Sequence, residues 1–285
     1  MSAKLIDGRA LSKEVRTELT EKTAELTAQL GRAPGLAVVL VGDDPASQIY
    51  VRNKERDAKK VGIHGEVVRM PKESSHEEVQ SQVEELNARD DIDGIIVQAP
   101  TPDQVDFEAV VEAIDTSKDV DGLHPANLGL LAAGRPNLVA CTPSGIMEML
   151  KRYDVDIEGK NATVVGRSNL VGKPMALLLI LAHATVTVCH SRTRDLKEEC
   201  SRADILVAAA GYRGLITPEM VKPGAVVIDV GIHRVGKKKL VGDVEFEGAK
   251  ERAGLITPVP GGVGPMTVTM LLSNTVKAAK KRAGL

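Results

Sequence analysis

Seven consecutive apolar or small residues, LAVVLVG at 36–42, constrain this chain more than any other feature. An unbroken run of this kind reads as a buried strand, and strands buried on both faces belong to parallel sheets covered by helices. The flanking segments agree. Leu11, Val15, Leu19, Leu26 and Leu30 recur at helical spacing before the run, and SQIYVRNKERDAKKVG (47–62) reads as a helix after it. A second strand, EVVRM (66–70), a helix at 74–86 with serine caps and early acids, and a third strand, IDGIIVQ (92–98), continue the alternation. The expectation is a layered α/β domain with parallel pairing.

Between Pro100 and Pro143 the pattern weakens into turn-rich segments, TPDQ, KDVDGLHPAN and AAGRPN. A second alternating series then runs through TVVG, MALLLILAH, TVTVCH, DILVAAAG and AVVIDVG. GKKKLVGD reads as a hairpin insertion, and residues 267–283 as a closing helix. At 285 residues the chain has room for two domains. The boundary is expected near Asn137 to Thr142, giving an α/β fold with residues 1–138 in one domain and 139–265 in the other.

Composition excludes several function classes. A net charge of −2 on a chain with 27% charged residues leaves no basic imprint for nucleic acid. Cys141, Cys189 and Cys200 are too scattered for a disulfide framework, and no C-x-x-C pair offers a metal site. No apolar run approaches a membrane span, and the N-terminus has no apolar signal region. A cytoplasmic protein with no metal and no membrane partner is expected.

The loop VVGRSNLVGKP (164–174) joins a strand to a helix, where backbone N–H groups and the helix dipole attract an anion. It fits neither common phosphate-loop template. Five residues separate Gly166 from Gly172, Lys173 is followed by Pro174, and Arg167 and Ser168 fill the middle. The alternative reading is a tight turn without a ligand. The next strand ends in SRTRD rather than in the acid that binds ribose hydroxyls in an NAD site. Ser191, Arg192 and Arg194, with Arg167, suit a 2′-phosphate, so NADP is expected over NAD.

In the first half, Tyr50 and Lys54 share a helix face. The Tyr-x-x-x-Lys dyad of short-chain dehydrogenases fails on order, because there the dyad lies downstream of the dinucleotide loop. Gln98 closes GIIVQ, and Asp119 and Asp121 occupy KDVDGLHP. Strand ends collect ligands, so these groups could converge with Lys54; an Asp in a Gly-rich loop is more often a turn former. Pro258, Pro260, Gly261, Gly262, Gly264 and Pro265 form a stiff, side-chain-poor segment, either a linker or a close backbone approach to a flat ligand.

Taken together, GDDPASQIYVRNK, DGIIVQAPTP, KDVDGLHPANLG, CTPSGI, VVGRSNLVGKPMA, TVTVCHSRT, DVGI and TPVPGGVGPMT resemble the bifunctional methylenetetrahydrofolate dehydrogenase/methenyltetrahydrofolate cyclohydrolase family along nearly the whole chain. The resemblance implies a folate-binding catalytic domain, a Rossmann-like NADP domain, and a C-terminal helix (266–285) that returns to the first domain. It implies oxidation of 5,10-methylene-tetrahydrofolate by NADP, then hydrolysis to 10-formyl-tetrahydrofolate. In it, Lys54 matches the acid/base group, Gln98 the amide that positions it, Tyr50 the ring that stacks on folate, and Asp121 the carboxylate on the pterin edge. Gly166, Arg167, Ser168, Ser191 and Ile232 match NADP contacts, and Pro260, Gly261 and Gly262 are expected against the substrate. The resemblance also implies a homodimer joined through the cofactor domain, for which the GKKKLVGD hairpin offers an edge.

VQAPTP and VACTP depart from the family's VQLPLP and from its proline before the cysteine, which bears on cleft shape more than on chemistry. Two alternatives stand beside the bifunctional reading: a dehydrogenase with little cyclohydrolase activity, and a non-catalytic NADP-binding protein. Val259–Pro260 is a candidate cis peptide.

Overall fold

The computed structural model describes residues 2–236 and 239–285, without the side chains of Ala46 and Ile49. In chain order the elements begin with β1 (Lys4–Leu5), α1 (Gly8–Leu30), β2 (Gly35–Val41), α2 (Pro45–Lys60), β3 (His64–Met70), α3 (His76–Ala88) and β4 (Gly94–Val97). Then come α4 (Phe107–Glu112), α5 (Pro125–Ala132), α6 (Cys141–Arg152), β5 (Asn161–Val165), α7 (Gly172–Leu181), β6 (Thr185–Cys189), α8 (Leu196–Ser201) and β7 (Ile205–Ala208). The last are β8 (Val226–Asp229), β9 (His233–Val235), β10 (Lys239–Val241), α9 (Phe246–Lys250), β11 (Leu255–Ile256) and α10 (Val263–Arg282).

These elements form two compact units. One comprises Glu14–Cys141 and Val268–Leu285. Its sheet has the order β3-β2-β4, with β2 parallel to both neighbours. Every residue of β2 is buried. Leu36, Val38 and Leu40 pack with Leu19 and Leu26 of α1 and Leu271 and Leu272 of α10. On the other face Ala37, Val39 and Val41 pack with Val79, Val83 and Leu86 of α3. Each such Val or Leu side chain contributes about 1.5–3 kcal/mol on burial, so the run at 36–42 holds both layers together. Helix α3 starts with a full capping box between Ser75 and Glu78.

The other unit comprises Met1–Lys13 and Thr142–Thr267. Its six-stranded sheet has the order β1-β11-β8-β7-β5-β6, and among the described residues its strand pairings are all parallel. The first strand therefore pairs with β11 (Lys4↔Leu255) rather than with the sheet of the Glu14–Cys141 unit. Two residues carry too little pattern to show this in sequence. The hairpin expected at GKKKLVGD is present as antiparallel β9 and β10; Lys237 and Lys238, at its turn, lie outside the described residues.

The stretch expected to be irregular contains α4, α5 and the start of α6. Helices α4 and α5 have six and eight residues, too short for a periodic signal. They rely on caps: Asp106 accepts from the N–H groups of Glu108 and Ala109, and the His124 ring accepts from Ala126 ahead of Pro125. Both Val259–Pro260 and Ala99–Pro100 are cis; only the first was anticipated. No helix among the described residues is long and apolar enough to cross a membrane.

Candidate active site

Helix α2 is started by Asp44, whose carboxylate accepts from the Ser47 N–H at 2.7 Å, with Pro45 at its first turn. It presents Tyr50, 52% exposed, and Lys54 one turn later, half-buried. Beyond β4 the Gln98 N–H donates to Val39 O at 2.9 Å, which keeps the strand end in register. The Lys54 Nζ donates to Gln98 Oε1 at 3.0 Å, while Gln98 Nε2 donates to Ala99 O at 2.6 Å. The two bonds decide the orientation of the amide: its oxygen faces the lysine.

Asp121 is half-buried, and burial raises its carboxyl above the ordinary range. The Lys54 charge pulls the other way and Asp119 pushes it further up. Lys54 and Asp121 are thus within electrostatic reach, as the sequence suggested. Asp119 is different. It is fully buried and accepts from the N–H groups of Leu123 and His124 and from Asn127 Nδ2 at 2.8 Å, which makes it the former of the turn that carries Asp121.

In the other unit, a cavity of about 470 Å³ is lined by Gly166, Arg167, Ser168, His190, Ser191 and Tyr212, among others. Gly166 has φ +135°, and a Cβ there would stand 2.1 Å from Ala209 O. A Cβ on Gly172, the first residue of α7, would stand 2.2 Å from Gly166 O. Only glycines permit this close wrapping of the loop on the helix start, whose Val171 N-cap gives no side-chain bond. The result is a small-residue cradle at a helix start, suited to a phosphate. Among the described residues the exposed side chains of Arg167, Arg192 and Arg194 make no ion pair. Asp195, the acid nearest this turn, is used otherwise: it caps α8 by accepting from Glu198 N–H at 2.9 Å. The residues present fit a dinucleotide with an extra phosphate.

Ile232, 55% exposed, lines a second, smaller cavity of about 150 Å³ together with Pro260, Gly261, Gly262 and Arg9. Gly261 has φ +109°, and the Gly262 N–H closes a turn onto Pro258 O at 2.8 Å. The expected cofactor contacts therefore fall into two groups, with Gly166, Arg167, Ser168 and Ser191 at one cavity and Ile232 at the other.

Comparison with known proteins decides the family. The description "Tetrahydrofolate dehydrogenase/cyclohydrolase, catalytic domain" matches residues 6–121, and "Tetrahydrofolate dehydrogenase/cyclohydrolase, NAD(P)-binding domain" matches 140–283. The chain belongs to the tetrahydrofolate dehydrogenase/cyclohydrolase family. It is 57% identical to the bifunctional protein FolD of Moorella thermoacetica, over 99% of this chain and 100% of that one. The crystal structure of the bifunctional FolD enzyme from Campylobacter jejuni is similar with a TM-score of 0.96 and 46% identity, covering 99% of this chain and 100% of that one. The Trypanosoma brucei enzyme, solved with NADP cofactor and an inhibitor, has a TM-score of 0.95 and 42% identity, with full coverage of both chains.

Several polar residues of this family member escape sequence reasoning. Asn274 of α10 donates from Nδ2 to Val120 O and Val139 O, both at 2.9 Å, across more than a hundred residues. Those carbonyls precede Asp121 and Ala140. Cys141 donates to Val120 O at 3.3 Å, and burial raises its thiol well above the ordinary range. Buried Asp229 and Asp243 and half-buried His233 form a cluster in which Asp243 accepts from Ala210, a residue lining the 470 Å³ cavity, while Asp229 lines the 150 Å³ one. The available signal was an acid within two residues of a glycine at two strand ends, DVG and VGD, which is too common to single out.

Proposed function

We propose that this chain oxidises 5,10-methylene-tetrahydrofolate with NADP and hydrolyses the methenyl product to 10-formyl-tetrahydrofolate. The observation that carries this reading is the Lys54–Gln98 hydrogen bond of 3.0 Å with the Asp121 carboxyl in electrostatic reach. Lys54 is the proton carrier. It takes a proton from the water that attacks the methenyl carbon and returns it to the ring nitrogen as the carbon–nitrogen bond opens. The second proton leaves to solvent. Gln98 directs the lysine as a neutral acceptor.

Asp121 grips the pterin edge, whose paired donors a carboxylate accepts in bidentate fashion. The exposed Tyr50 ring offers a stacking surface, and Pro260, Gly261 and Gly262 present backbone to a flat ring. Gly166, Arg167, Ser168, Ser191 and Ile232 would hold NADP, which when bound supplies the oxidising chemistry of the first reaction. The folate chemistry belongs to the Glu14–Cys141 unit and the cofactor to the unit containing β5–β8. Three buried free thiols support a reducing, cytoplasmic setting. The protein works as a homodimer; β6, an edge strand with Val188 39% exposed, supports pairing through the cofactor unit alongside the β9–β10 hairpin.

Turnover of methylene-tetrahydrofolate with NADP and with NAD, followed by hydrolysis of methenyl-tetrahydrofolate alone, tests the reading. Both reactions are expected, and absence of either in the purified chain removes the bifunctional proposal.

A further inference from the structure

Two carboxylates and an imidazole, Asp243, Asp229 and His233, have no part in the chemistry above, and the first of them bonds to a wall of the larger cavity. Asp243 is fully buried. Its Oδ2 accepts from two consecutive backbone N–H groups, Ala210 at 2.7 Å and Gly211 at 2.8 Å. Its Oδ1 lies 2.7 Å from His233 Nε2. The Asp243 N–H donates in turn to Oδ1 of Asp229 at 2.9 Å, and Asp229 Oδ2 accepts from Val244 N–H at 3.1 Å. Glycines clear space for both acids. A Cβ on Gly231 would stand 2.2 Å from Asp243 Oδ1, and one on Gly242 would stand 1.8 Å from Asp229 Oδ2.

The segment that Asp243 holds is a wall of the cavity. Ala209, Ala210 and Tyr212 line it opposite the loop of Gly166 and Arg167. Residues 208–211 are Ala-Ala-Ala-Gly, so the turn has no side chain able to fix its own shape. In a trans peptide the carbonyl points opposite to the N–H of the same unit. Two N–H groups aimed at Asp243 therefore turn the carbonyls of Ala209 and Ala210 away from it. Ala209 O then comes to lie where a Cβ on Gly166 would touch it, against the phosphate loop. The shape of the cradle depends on peptide planes, and a single buried carboxylate orients two of them.

We propose that Asp243 is a positioning residue for NADP, holding the 209–211 wall of the cofactor cavity, with His233 occupying its second oxygen. This rests on the assignment of that cavity to NADP. The test uses the full chain and measures NADP affinity by calorimetry, with methenyl-tetrahydrofolate hydrolysis and thermal stability alongside. A parent protein that fails to bind NADP would remove the cofactor assignment itself, separately from this inference. Given a binding parent, Asp243→Ala is expected to weaken NADP tenfold or more while hydrolysis stays within about twofold. Asp243→Asn keeps one oxygen for the two amides and is expected to lose only about threefold. An alanine variant that binds NADP like the parent overturns the proposal, as does one that loses hydrolysis in step with NADP binding. Should the alanine variant not fold, the asparagine variant decides: an unchanged NADP affinity overturns it.

Discussion

Lys54 Nζ meets Gln98 Oε1 at 3.0 Å although the two residues are 44 apart in sequence. Gln98 cannot flip its amide without giving up the bond from Nε2 to Ala99 O. The lysine is thus held from one side by a neutral acceptor, which suits the proton-carrier role proposed for it.

Replacing Lys54 by Met should reduce cyclohydrolase kcat by about 10² to 10⁴, the usual worth of general acid–base help. NADP affinity, which rests on residues of the other unit, should change little. Hydrolysis of methenyl-tetrahydrofolate at saturating substrate, corrected for the spontaneous rate, is the measurement. A variant that binds folate normally and keeps near-parent kcat shows that Lys54 is not the proton carrier.

Cofactor choice should follow Arg167 and Ser191. A hydrogen bond to a charged group contributes about 1.5–3 kcal/mol, so Arg167→Ala should lower kcat/KM for NADP by about tenfold or more and leave NAD nearly unaffected. Ser191→Ala should act in the same direction and less strongly. Equal kcat/KM with NAD and NADP in the parent removes the basis for this expectation.

Asn274→Leu tests the strap from α10. The carbonyl of Val139 loses the donor that Asn274 supplies, and Val120 O keeps, among the described residues, the Cys141 thiol. Stability should fall by about 1–3 kcal/mol in urea unfolding, the cost of a buried unpaired polar group. The folate KM should rise because Val120 precedes Asp121, with NADP affinity unchanged. Parent values of both stability and KM would show that the strap is dispensable.

Asp229 predicts a pH dependence. Burial raises its carboxyl to about 6 against an ordinary 3.8, and Asp243 nearby adds to the rise, while three backbone N–H bonds oppose it. The folded state therefore holds this proton more tightly than the unfolded chain does. The contribution to stability is highest below about pH 4, falls as pH rises towards 6, and is level above that. The shift corresponds to about 3 kcal/mol. In urea titrations from pH 4 to 8, the stability of the parent minus that of Asp229→Asn should fall across this window. A difference that rises with pH contradicts the assignment.

Light scattering at micromolar concentration should give twice the chain mass of 30.3 kDa. A monomer mass rules the dimer out. Val188→Lys, on the edge strand, should shift the mass towards the monomer if β6 takes part in pairing.

The alternation of strands and helices, the double-sided burial of 36–42, the Ser75 cap and the glycine loop at 166–172 are all written locally. Each depends on residues within about one turn or one strand of one another, so periodicity and capping chemistry suffice to read them. Lys54, Gln98, Asp121 and the cofactor loop carry only weak local signals, a shared helix face, a strand end and two turns, and were nameable as candidates through the family resemblance of the motifs around them. Partnerships over long separations were not. That β1 joins β11, that Asn274 reaches Val120 and Val139, and that Asp243 turns the peptides of Ala210 and Gly211 all depend on chain segments brought together by burial. Hydrogen bonds of this kind leave no periodic trace, since one polar residue among apolar neighbours satisfies them. Only the tertiary structure decides which buried carboxylate faces which amide, because desolvation makes an unpaired choice costly and packing leaves one partner within reach.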